Sequence, residues 1–87
     1  MYVIIVYDVD VKRVSKVCNF LRCFLNWVQN SVFEGELTDS QFMRLESGLR
    51  ELIEESTDSV RIYILRSADA MKVQTIGKEK ANIDIIV

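Results

Sequence analysis

The chain has 87 residues, 49% of them apolar, with a net charge of −2, no proline and no histidine. That is the length of one domain, with enough apolar material for a packed core, and it excludes a linker, a disordered tail or a transmembrane anchor. The charge is uneven, net +2 over residues 1–33, −6 over 34–58 and +2 over 59–87, so a mean near zero is compatible with a basic face.

Residues 2–8, inside the run "YVIIVYDVD", read as a strand that is apolar on both faces. Such a strand is central and covered on two sides. No charged leader precedes it and no apolar run reaches membrane-spanning length, which points to a cytosolic protein with no membrane role. A helix over 11–25 follows, with Val14, Val17, Cys18, Leu21, Phe24 and Leu25 on one face at three-and-four spacing. Lys12, Ser15, Lys16, Asn19 and Arg22 look outward, and Phe20 and Cys23 lie off the stripe, where a second surface can meet them.

The stretch 27–37, "WVQNSVFEGEL", is extended, rich in β-forming Trp27, Val28, Val32 and Phe33. It is either one bent strand or a tight hairpin. "TDSQ" at 38–41 matches the capping box, with Thr38 as cap and Gln41 reaching back. The helix it opens runs to about Glu55, burying Phe42, Leu45, Leu49, Leu52 and Ile53. "STDS" ends it. "VRIYILR", 60–66, is a strand, and 72–77 and 83–87 are two short strand candidates.

If 27–37 folds as two strands, the order is βαββαβ, an α+β ferredoxin-like sandwich with extra C-terminal strands. Both helices then cover one sheet face. The other face needs a cover too, and a second copy of the sheet supplies one, so a homodimer is expected. The tail from 67 to 87 can add its strands to the partner's sheet edge within a single domain spanning 1–87.

Two carboxylates end the first strand. Asp10 suits the N-cap of the next helix. Asp8 either ends the strand in water or serves a site, since it stands on a rigid platform at the strand's carboxyl end. Lys12 and Arg13 sit in the first helical turn, against the helix dipole, at a cost of about 0.3–1 kcal/mol each if exposed. An anion nearby offsets that cost: Asp8, Asp10 or a phosphate. Lys16 and Arg22 extend the basic side, although a solvated face would look the same.

Side-chain catalysis alone is poorly supplied. There is no histidine for general-base work, Cys18 and Cys23 lack a partner base and a zinc-binding set, Ser31 has no triad, and no glycine-rich phosphate loop exists. A carboxylate holding a hard cation remains. Mg2+ takes oxygen ligands and is held by one or two carboxylates together with substrate phosphates. One Asp per chain is thin; two Asp8 residues meeting across a dimer axis make a credible site.

"VYDVDVKRVSKVCNFL" followed by "VQNSVFEGELT", with "DSVRIYIL" and a late "IG", resembles the CRISPR-associated Cas-two family over nearly the whole chain. The resemblance implies a ferredoxin-like homodimer with C-terminal strands crossing to the partner. It implies metal-dependent endonuclease activity on single-stranded RNA or duplex DNA, with Asp8 as the ligand to Mg2+ or another divalent cation and as the catalytic residue. It also implies work beside the Cas-one integrase in spacer acquisition, where the dimer holds DNA. Carried over by position, Arg13 and Lys16 are the basic pair, Lys12 and Arg22 join them against nucleic acid, and Asp10, Ser31 and Phe33 stand near the site. The chain departs from the family at Trp27 and Asn30, where cations or another aromatic are usual, and in lacking a glycine at the end of the first helix. Two readings remain beside the nuclease: a DNA-binding scaffold without chemistry, and a ferredoxin-like regulatory module with no nucleic-acid role.

Overall fold

Alternation along the first strand decides which residues go inside. In the computed structural model, which describes residues 1–81, β1 spans Tyr2–Asp8. Val3, Ile5 and Tyr7 are buried, while Val6 and Asp8 are exposed on the other side. β1 pairs antiparallel with β3 (Val32–Glu36) on one flank and with β4 (Ser59–Leu65) on the other. β2 (Asn26–Gln29) adds outside β3, giving the order β2-β3-β1-β4. With α1 (Val11–Arg22) and α2 (Asp39–Leu52) packed on one face, this is the ferredoxin-like α+β sandwich.

The extended stretch is therefore a hairpin. Its two-residue turn rests on Asn30, whose φ of 44° is a conformation that asparagine tolerates better than most residues. The register shifts between Trp27 and Gln29, leaving a bulge at Val28. The Trp27 indole N–H donates to the Asn30 carbonyl at 3.0 Å. The two positions that depart from the family pattern thus hold each other.

Both helices stop earlier than periodicity suggests. α1 ends at Arg22 instead of Leu25, although the Leu25 N–H still reaches the Leu21 carbonyl at 2.8 Å and Leu25 stays buried. α2 ends at Leu52 instead of Glu55, because Ile53 is extended (ψ 165°) and the Glu54 N–H turns to the Asp58 carboxylate at 2.9 Å. At the other end the capping box forms as expected, with Thr38 Oγ1 accepting from the Gln41 N–H and Gln41 Oε1 accepting from the Thr38 N–H.

The core is Val3, Ile5 and Tyr7 of β1, Val17 and Leu21 of α1, Phe33 of β3, Leu45 and Leu49 of α2, closed by Leu25 and Leu37. Phe20, off the main stripe of α1, packs onto the bare backbone of Gly48 in α2. A Cβ there would lie 2.2 Å from Phe20 Cζ. Overpacking typically costs about 1–3 kcal/mol, and glycine-to-alanine in a helix returns about 1. Gly48→Ala is expected to destabilise the protein by about 1 kcal/mol in chemical denaturation. In a Phe20→Ala background the same change should instead stabilise, by up to about 1 kcal/mol.

The opposite sheet face carries no helix. By register it presents Tyr2, Ile4, Val6 and Asp8 of β1, Glu36, Glu34 and Val32 of β3, and Leu65, Tyr63, Arg61 and Ser59 of β4. Val6 is 38% and Tyr63 48% exposed, so this face is largely open in the single chain. β4 is an edge strand whose outer side is unpaired among the described residues. After a short 3-10 turn at Ala68–Ala70, residues 72–77 form no ladder with the other described residues of the same chain; their expected place is on a partner's sheet edge. The second tail candidate, 83–87, lies outside the described residues.

Candidate active site

One end of the sheet gathers the chemistry. The end of β1, the start of α1, the β2–β3 turn and the start of β4 all meet there. The ladder sets Asp8 opposite Ser59, and the Tyr7 N–H donates to the Ser31 carbonyl at 3.1 Å, tying the hairpin turn to the strand end.

The two carboxylates of "YDVD" separate in role. Asp10 caps α1, its Oδ1 accepting from the Lys12 N–H at 3.0 Å. Asp8 is exposed on the open face and, among the described residues, makes no ion pair. It is the carboxylate left free for a ligand.

Arg13 is not left free. Its Nε lies 2.6 Å from Asp58 Oδ2 and its Nη2 lies 3.0 Å from Oδ1, a bidentate pair. Nη2 also reaches the Thr57 hydroxyl at 3.3 Å. The anion that offsets a cation at the start of α1 is therefore Asp58, forty-five residues away, rather than Asp8, Asp10 or a bound phosphate. Asp58 is the one buried charged residue among those described, its side chain 1% exposed. It also accepts the backbone N–H groups of Asp10 at 3.0 Å and Glu54 at 2.9 Å. One carboxylate thus pins the start of α1 and the end of α2 to the start of β4. The Arg13 hydrogen bond, aided by the two backbone donors, holds its carboxyl well below the usual carboxylate range against the opposing effect of burial.

Lys12 and Lys16 stand exposed on α1 and present their charge to solvent. Arg22 is exposed too, with its guanidinium 5.9 Å above the Phe33 ring centre. Phe33 itself is fully buried, 6.2 Å from the Tyr7 ring. Burial, and then the nearby Cys18 thiol, push the Tyr7 phenol above its ordinary value. Tyr7, Phe33 and Arg22 therefore belong to the helix-covered side, whereas Asp8 faces the open side. Adjacent residues of a strand point oppositely, so "YD" cannot place both groups in one pocket.

Among the described residues, no three His, Cys, Asp or Glu side chains gather as a metal-binding group. Among the described residues, a single chain offers Asp8 alone at this end of the open face. That is compatible with Mg2+, which keeps several waters and accepts one or two carboxylates, only where a second copy or a substrate phosphate completes the set. Arg61 of β4, which sequence reasoning passed over, shares the open face with Asp8. Its signal was the alternation of "VRIYILR", which puts Arg61 and Tyr63 on one side.

The chain is thus a ferredoxin-like α+β sandwich with a free carboxylate closing β1 and cations on the helix that follows. The model of the family described as CRISPR associated protein Cas2 matches residues 1–73. The protein of Methanosarcina acetivorans named CRISPR-associated endoribonuclease Cas2 is 51% identical over 87 residues, covering the whole of both chains. That of Pyrococcus furiosus, with the same name, is 54% identical, again over the whole of both. A crystal structure of cas2 superimposes with a TM-score of 0.87 at 44% identity, over 100% of this chain and 98% of that one. The chain belongs to the CRISPR-associated Cas2 family.

Proposed function

We propose that the protein is a nucleic-acid-binding homodimer of a CRISPR system that hydrolyses phosphodiester bonds of single-stranded RNA with a divalent cation held by Asp8 of each subunit. The observation that carries this reading is the free, exposed Asp8 at the end of β1 on a sheet face that no helix covers. The names of the relatives, endoribonucleases, support the substrate. The open face, with Ile4, Val6, Tyr63 and Leu65, supports association through it. The edge of β4, unpaired among the described residues, supports the tail of a partner adding there, beside a groove of about 300 Å³ that mixes Leu49, Ile53, Val60 and Ile62 with charged residues such as Glu46 and Arg50.

A divalent cation supplies two things when bound at such a carboxylate: it eases deprotonation of a water near neutral pH and offsets phosphate charge. The chain's own part is to fix Asp8 on a central strand and to present Lys12 and Lys16 to the backbone of the nucleic acid. A second reading has the dimer hold duplex DNA for the Cas-one integrase without cutting it. The lack of a group of three metal-ligating side chains among the described residues and the absence of any histidine favour that reading.

The test is cleavage of single-stranded RNA by purified protein, wild type against Asp8→Ala, with Mg2+ and with chelator. Cleavage by the wild type in Mg2+, lost in the variant and in chelator, is expected, with both proteins sedimenting as the same two-subunit species. Persistent cleavage by Asp8→Ala removes Asp8 from the chemistry. No cleavage by the wild type leaves the scaffold reading.

A further inference from the structure

Asp8 is the last rung of its ladder. On the β3 flank the final bond runs from the Tyr7 N–H to the Ser31 carbonyl, and on the β4 flank Asp8 stands opposite Ser59. Beyond Asp8 the chain leaves the sheet, and only Val9, half-buried against the core, separates it from Asp10. The Asp10 N–H donates to Asp58 Oδ1 at 3.0 Å, and Asp58 directly precedes Ser59. The link 8–10 is therefore held at both ends by two consecutive residues of another segment, Ser59 through the ladder and Asp58 through its side chain.

Asp58 is itself fixed. Its N–H donates to the Glu54 carbonyl at 2.7 Å while its Oδ2 accepts from the Glu54 N–H at 2.9 Å, so the turn 54–58 is closed twice. Arg13 fills the remaining acceptor positions, Nε at 2.6 Å and Nη2 at 3.0 Å, and the other Nη2 hydrogen goes to Thr57. Asp58 thus takes the Nε–Nη2 fork and Thr57 takes half of the remaining edge, which leaves no bidentate edge for a phosphate. A carboxylate that binds a cation must be held to within about 0.5 Å of its productive place. In a site shared by two copies of one chain, any displacement of Asp8 occurs on both sides of the axis.

We infer that Asp58 and Arg13 act as one positioning pair for the Asp8 site, holding the end of β1 so that Asp8 meets a divalent cation, and that Arg13 does not bind the nucleic acid. This rests on the function proposed above and deepens it by assigning Arg13 to the carboxylate side of the site.

The test measures binding of Mn2+, in place of Mg2+, by its electron paramagnetic resonance signal, well below the melting temperature of every variant. Wild type, Asp8→Ala, Asp58→Asn, Arg13→Gln and the double variant of Asp58 and Arg13 are compared. Binding of a single-stranded RNA in chelator, over a series of salt concentrations, is the second readout. Asp58→Asn and Arg13→Gln are each expected to weaken Mn2+ binding about tenfold, as loss of a supporting contact does at other metal sites. The double variant should also lose about tenfold rather than about a hundredfold, because both changes break one pair. Arg13→Gln should keep the wild-type salt slope for RNA, whereas a lost phosphate contact would flatten it by about 0.7. Wild-type Mn2+ affinity in the folded single variants makes the pair merely structural and overturns the inference, with the proposed function left standing. A flattened slope in Arg13→Gln overturns it too and returns Arg13 to the nucleic acid, and additive losses in the double variant show that the two residues act separately. Mn2+ binding lost only together with the two-subunit species overturns it as an effect on assembly. A wild type that binds no Mn2+, or binds it as well without Asp8, brings down the metal site of the proposed function and this inference together.

Discussion

Asp58→Ala is expected to lower the melting temperature by more than about 10 °C, the largest loss of any single polar change in the chain. The reason is the number of donors it would strand. The Arg13 fork loses both partners, and the N–H groups of Asp10 and Glu54 lose theirs. Removing one side of a buried pair leaves an uncompensated charge, which costs far more than the pair contributes. Asp58→Asn keeps one acceptor and should fall between. The acid limb gives an independent reading. Because Asp58 titrates below the usual carboxylate range in the folded protein, its contribution is fully present above about pH 4, where an unfolded carboxylate is ionised. It is lost progressively as the pH falls toward the depressed native value. Wild type should therefore destabilise steeply below pH 4, while Asp58→Asn starts lower and falls less over the same range. Equal slopes in thermal melts from pH 5 to pH 2 would show that the pair does not couple folding to protonation.

That carboxylate also marks where sequence reasoning stopped. Local signals served well: the two-faced apolar run placed β1, Asp10 the start of α1, and the Thr38–Gln41 box the start of α2. The two caps are each written within four residues. Both helices end before periodicity does: it continues through Leu25 and Glu55, while α1 tightens into a turn at Cys23 and Phe24 and α2 gives way to an extended Ile53. In α2 the stopping contact is Asp58 itself. For Arg13 the sequence leaves Asp8, Asp10 and a phosphate open as the offsetting anion: a cation in a first helical turn announces that an anion is near, not which one. The hairpin was undecided because its turn has neither Asn-Gly nor Asp-Gly; Asn30 takes positive φ with Ser31 beside it, and Trp27 supplies the lock. Asp8 was legible as a candidate from its place at a strand end. Its separation from Phe33 by the thickness of the sheet was implicit in the alternation of "YD". Arg61 was legible too, but only once the register with β1 was known.

Phe33→Ala is expected to destabilise the protein by about 3–5 kcal/mol, a large share of what a domain of this size holds in reserve. Phe33 is fully buried in the centre of the β3–β1 core, against Tyr7, and its outer side seats Arg22. The truncation leaves a cavity where those residues meet and removes the surface on which the guanidinium rests. Activity would fall on this change whether Phe33 touches substrate or only holds the fold. Phe33→Leu separates the two. It keeps most of the buried volume and should cost on the order of 1 kcal/mol. Because the ring lies on the helix side and Asp8 on the open side, the leucine variant should bind RNA and, if the wild type cleaves, cleave it within about threefold of wild type at a temperature where it is fully folded. Retained activity beside a lowered melting temperature makes Phe33 a packing residue that shapes the strand carrying the carboxylate. Abolished activity in a folded Phe33→Leu protein would mean that the ring reaches the reacting groups, and that the sheet does not separate the two faces as the register requires.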